Sequence, residues 1–187
     1  MTKIETRSME VRAVDDEKEM LLEGYAVVFD SETRLYDDIY EEVATGAFNG
    51  VDFSDVRAFY DHQTGNLLGR TKSGTLSLNV DEKGLRFSLK LPNTQLGRDI
   101  FELTKRGDLS QCSFGFTVAE DTWTYREDDT YHRSITKIGN LVEVSLVSIP
   151  AYDDTSVAVA QRSRDQFKNK QRALELELEL LGLAEKS

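Results

Sequence analysis

The sequence predicts a mainly β protein with inserted helices, an α+β chain folded as a small closed barrel and followed by a C-terminal helix. Three observations carry this. Runs rich in β-branched and aromatic residues recur along the chain as far as Ile149. There are about eight of them, enough to curl a sheet shut and remove its exposed edges. Beyond Arg162 the composition shifts to Ala, Leu, Glu, Gln, Lys and Arg, the residues most at ease in a helix.

The elements follow in order. Residues 21–30 (LLEGYAVVFD) read as a strand, and residues 41–48 (EEVATGAF) as a short helix weakened by Gly46. Residues 56–60 (VRAFY) form a second strand. Residues 75–80 and 85–91 alternate apolar with polar on either side of a DEKG turn, the pattern of a hairpin. Residues 94–106 read as a helix: Leu96, Ile100 and Leu103 recur at helical spacing, Thr94 suits the N-cap and Gly107 the C-cap. Four more strand runs follow, at 113–119, 123–126, 135–138 and 141–149. In the tail, ALELELELL alternates with period two, yet no turn offers it a partner strand. Coiled as a helix, it places Leu174, Leu178 and Leu181 in one row and Leu176, Leu180 and Leu183 in the next. The expected organisation is a barrel over 1–160, a polar linker near 160–164, and a helical tail over 161–187.

Composition narrows the function. The chain has 187 residues, 39% of them hydrophobic, sufficient for one domain with its own core. A formal net charge of -11 repels phosphate backbones, so nucleic acid is not an expected partner. The lone cysteine, Cys112, rules out an internal disulfide framework and fits a reducing compartment. The N-terminus lacks the apolar core of a signal peptide, and no run approaches the roughly 18 apolar residues of a membrane span. The expectation is a soluble protein that works where it is made, with no membrane partner.

No phosphate-binding glycine loop, CxxC pair or HExxH motif occurs. With only His62 and His132, no histidine-rich metal site can be built, and no cofactor or metal is expected. Ser113 opens SFGF. On a strand, Ser113 and Gly115 share one face, and Phe114 and Phe116 fill the other. Ser113 would then stand on an outer face, with a gap at Gly115 for a peptide to approach. Cys112 turns inward, as a small buried hydrophobe. His62 falls where the strand VRAFY opens into a loop, a frequent setting for catalytic groups on a rigid scaffold. In LVEVSLVSI, Val142, Val144 and Leu146 form a buried set, so Glu143 and Ser145 share the face of Ser113. A carboxylate there can orient an imidazole. The residues alone leave other readings open: a surface histidine, a half-exposed strand serine, a solvated glutamate.

The ordered set EGYAVVFD, EEVATGAF, VRAFYDHQTGNLLGRTKSGTLSL, GLRFSLKLPNT, RGDLSQCSFGFTV and LVEVSLVSIPAYDDT resembles the prohead maturation proteases of tailed bacteriophages. Their fold is similar to that of the herpesvirus assemblins. The resemblance spans roughly residues 23–159. It implies a serine protease barrel with its active site on the outer wall, His62 as the histidine of the family's DH motif and Ser113 as the nucleophile of S-[FI]-G-F. For the third member, the assemblin pattern of a second histidine points to His132, and the phage pattern L-x-E-V-S points to Glu143. Glu143 is preferred, because it lies on a predicted strand with the right facing. The resemblance also implies substrates, namely scaffold protein and the major capsid protein's N-terminal segment, together with self-cleavage inside the assembling procapsid in the host cytoplasm. The alternative is an inactive capsid-assembly or scaffold-binding barrel of the same fold. The leucine rows of the tail suggest a homo-oligomer held by the C-terminal helix.

Overall fold

The computed structural model describes residues 5–16, 19–149 and 154–184. The strands in chain order are β1 (Glu5–Asp16), β2 (Glu19–Val28), β3 (Thr33–Tyr36), β4 (Ile39–Val43), β5 (Arg57–Tyr60), β6 (Gln63–Arg70), β7 (Leu76–Val80) and β8 (Gly84–Lys90). After helix α1 (Gln95–Arg106) come β9 (Gln111–Tyr125), β10 (Tyr131–Val147) and the long helix α2 (Asp154–Ala184).

All ten strands belong to one sheet, in the order β3-β4-β10-β9-β1-β2-β8-β7, with β5 paired to β10 and β6 paired to β5. Strand β10 is the spine. It runs antiparallel to β9 along its length, and its other edge is shared by two parallel partners. β4 takes the first part, from Tyr131 to Ile135, and β5 takes Glu143 to Leu146. The chain is therefore mainly β with two helices, as its composition indicates.

The expected closed barrel is corrected. Among the described residues, β3, β6 and β7 each end the sheet without a second partner. The edges that would have to meet are β6 and β7, and a 3-10 turn over Thr71–Ser73 separates them. Strand β6 meets β8 through side chains instead: a Cβ at Gly69 would stand 2.5 Å from Leu89 Cδ1.

In the core, Leu22, Ala26, Leu85, Phe87, Leu89, Phe114, Phe116, Val144 and Leu146 are buried together with Ile100 of α1. That helix has the ends its sequence promised. Thr94 Oγ1 accepts from Gly97 N at 3.1 Å, and Gly107 at φ 84° turns its N–H back onto the last carbonyls.

Several expectations need correction. Residues 41–43 belong to β4, and 45–50 form turns, with Gly46 at φ 87°. Pairing with β10 overrides the helix propensity of Glu41, which is buried against Arg133. The paired runs 113–119 with 123–126, and 135–138 with 141–149, are single long strands, β9 and β10, bent by register shifts. Strand β1, too charged to stand out as sequence, is central in the sheet. The linker expected near 160–164 lies inside α2. There Ala160 is buried against Leu35 and Ile39, with Trp123 alongside. The expected leucine rows are exposed at Leu174, Leu176 and Leu178, whereas the side chains of Leu180, Leu181 and Leu183 fall outside the described residues.

Candidate active site

His62 sits on a two-residue turn. Tyr60 faces Gln63 across the β5–β6 hairpin, which leaves Asp61 and His62 to reverse the chain. Their φ values are 49° and 56°, the left-handed region that a tight hairpin turn demands and that most side chains avoid. Asp61 secures the turn. Its N–H donates to Leu146 O at 2.8 Å. Its carboxylate accepts from Ser148 N at 2.8 Å and from the Ser148 hydroxyl at 3.0 and 3.1 Å. The hairpin tip is thus tied to the end of β10.

From this turn the imidazole meets Glu143, with His62 Nδ1 2.6 Å from Glu143 Oε1. The His62 side chain is about one-third exposed, at 32%, and that of Glu143 is nearly buried, at 11%. The other carboxylate oxygen, Oε2, accepts the hydroxyl of the fully buried Ser145. Ser145 stands directly across from Ser113 on β9, and Glu143 across from Gly115. Ser113, Gly115, Glu143 and Ser145 therefore share one face, as the period-two reading expects. A bulge between Leu141 and Glu143 alters the opposite face: Leu141, not Val142, joins Val144 and Leu146 in the core.

Exposure is where the expectation fails. Ser113 has no accessible surface, and its Oγ is buried without a hydrogen-bond partner. Every residue from Cys112 to Thr117 is buried, because β9 lies between β1 and β10 with both faces covered. The gap expected at Gly115 is occupied: a Cβ there would stand 2.9 Å from Glu143 Oε1 and 3.0 Å from its Cγ. The missing side chain makes room for the Glu143 carboxylate.

The rival residues lie elsewhere. His132, near the start of β10, faces Glu32 at 3.4 Å and Glu42 at 3.7 Å, and its register neighbours are Tyr40 and Thr124. It is not brought to Ser113. Cys112 points to the core, and burial pushes its thiol up to about 12, which leaves no thiolate at neutral pH. No cluster of three or more His, Cys, Asp or Glu side chains suited to a metal occurs among the described residues. The turn-securing Asp61–Ser148 contact went unread in the sequence. The adjacency of Asp to His was its only local signal, and the partner lies 87 positions away.

Glu143 of β10 orients the His62 imidazole, and Ser113 stands unpartnered on the adjoining strand β9; histidine, carboxylate and serine are the groups that a serine hydrolase uses. The model of the caudovirus prohead serine proteases matches residues 7–170, and the chain belongs to that family. Membership places it among the serine proteases of phage capsid maturation. The matched span runs from β1 into α2 and holds every residue of the candidate site. Searches of curated proteins and of solved structures found no match. No helix among the described residues is long and apolar enough to cross a membrane.

Proposed function

We propose that this protein is a serine endopeptidase whose reaction is carried by Ser113, His62 and Glu143. The 2.6 Å contact between His62 Nδ1 and Glu143 Oε1 supports this reading most directly. With Nδ1 donating to the carboxylate, Nε2 carries the lone pair that acts as base. His62 takes the proton of Ser113, the alkoxide attacks the scissile carbonyl, and Glu143 stabilises the imidazolium. The protonated imidazole then delivers its proton to the leaving amine, and water repeats the sequence on the acyl-enzyme. The substrates are scaffold protein, the N-terminal segment of the major capsid protein, and the chain itself. The reaction takes place inside the assembling procapsid in the host cytoplasm.

Ser113→Ala tests the assignment. Cleavage of scaffold or casein should vanish, and labelling by a fluorophosphonate should vanish with it. Because the wild-type hydroxyl is buried without a partner, the variant should melt no lower than the parent and up to a few degrees higher. Residual full activity would end this reading. The complete burial of Ser113 favours a second reading, a capsid-assembly or scaffold-binding protein that keeps the fold without the chemistry. A wild-type protein inert to fluorophosphonate under conditions where scaffold is cut elsewhere would select it.

The tail belongs to the same proposal. Leu174, Leu176 and Leu178 are more than half exposed on α2, an apolar surface that self-association would cover. A chain ending at Lys170 should sediment as a smaller species than the full chain. Identical sedimentation of the two would remove the oligomer.

A further inference from the structure

We propose that Ser145 is a positioning residue, whose hydroxyl holds the Glu143 carboxylate in the orientation that presents Oε1 to His62. This rests on the triad reading above and adds a fourth member to it.

The geometry carries the inference. A carboxylate on a flexible side chain has two oxygens and can turn about its last bond. Here each oxygen has its own partner: Oε1 meets His62 Nδ1, and Oε2 accepts the Ser145 hydroxyl. Ser145 has no accessible surface, so no water competes for that hydroxyl. Its backbone is fixed on both sides, by Ser113 of β9 and by Phe59 of β5. The nearest register neighbour with a positive charge, Arg57 opposite Glu143, turns to Asp55 at 3.6 Å and is well exposed. The hydroxyl is thus the donor that locks the carboxylate, and Gly115 provides the space in which it lies. Ser145 stands directly across from Ser113 in register, as Ser8 of β1 does on the other side, and the Ser145 hydroxyl is committed to Glu143 while that of Ser113 is not. Two serines face each other across the strands in different roles.

A double-mutant cycle on the full-length protein separates positioning from packing. Steady-state casein cleavage would be measured for wild type, Ser145→Ala, Glu143→Gln and the double variant, with a melting curve for each. Ser145→Ala should lower kcat by about 10-fold to 100-fold, because a misplaced catalytic group costs rate. KM should stay unchanged, since the hydroxyl touches no substrate. In the Glu143→Gln background the same substitution should cost less than about threefold. Ser145→Cys, whose thiol is a weak donor of similar size, enters the same cycle should the alanine variant not fold. Equal losses in both backgrounds, or a loss expressed in KM, would overturn the positioning role. Unchanged kcat in Glu143→Gln alone would instead overturn the triad, and a fluorophosphonate adduct on Ser145 in place of Ser113 would overturn both.

Discussion

At the scale of single residues, the site depends on what is missing at position 115. The Glu143 side chain calls for glycine there, because a Cβ would press on it at 2.9 Å from Oε1 and 3.0 Å from Cγ. Gly115→Ala should therefore displace the carboxylate and lower kcat by about 100-fold, while the fold survives with a melting temperature a few degrees lower. Kinetics and a melting curve on one preparation check both halves. Cys112 gives a second expectation. Its thiol is held neutral up to about 12 by burial, whereas an unfolded cysteine ionises near about 8.5. Its contribution to stability is complete below about 8.5 and is lost as pH rises from there toward 12. The native protein should resist iodoacetamide at about pH 8 and react once urea unfolds it; rapid modification of the folded chain would contradict this. The common facing of Ser113, Gly115, Glu143 and Ser145 was legible, because period two in a strand leaves a side chain two choices. Their burial was not, since it depends on neighbours from β1 and β10 that no local pattern announces.

At the scale of elements, α2 divides into an anchored and a free part. Trp123 Nε1 donates to Ser163 Oγ at 3.0 Å, and that hydroxyl donates to Asp121 Oδ2 at 3.1 Å. Asp121 also receives Arg133 Nε at 2.7 Å, and Arg133 reaches buried Glu41 on β4 at 2.9 Å. Arg164 adds two contacts to Asp38, at 3.0 and 3.1 Å. The base of the helix is thus bonded to strand β9 and to the loop before β4, and past Lys170 the described side chains are exposed. Ending the chain after Lys170 should leave the melting temperature nearly unchanged. Ending it after Arg162 removes Ser163 and Arg164, leaves Asp121 with one partner fewer, and should lower the melting temperature by several degrees. Equal melting of the two truncated forms would show that these contacts contribute nothing. The helix itself was legible from Ala, Leu and Glu. Its early start was not, because residues 160–164 look like a polar linker until Asp121, Trp123 and Asp38 are placed beside them. Residues 41–48 went astray for the converse reason: good helix formers were drawn into a strand by a parallel pairing with β10, far away in sequence.

At the scale of the whole molecule, several described positions cost the fold stability, and two of them belong to the proposed chemistry. The Ser113 hydroxyl is buried unpartnered, and His62 holds a left-handed backbone that glycine adopts without steric cost. His62→Gly should abolish cleavage and raise the melting temperature by about 2–4 °C for each kcal/mol of strain relieved. Unchanged or lower melting would mean that the Asp61–Ser148 latch already offsets the turn in full. The positive φ at position 62 has a further meaning for descent. A lineage in which cleavage was no longer needed would find the histidine codon disfavoured by folding alone, and drift there would run toward glycine or asparagine.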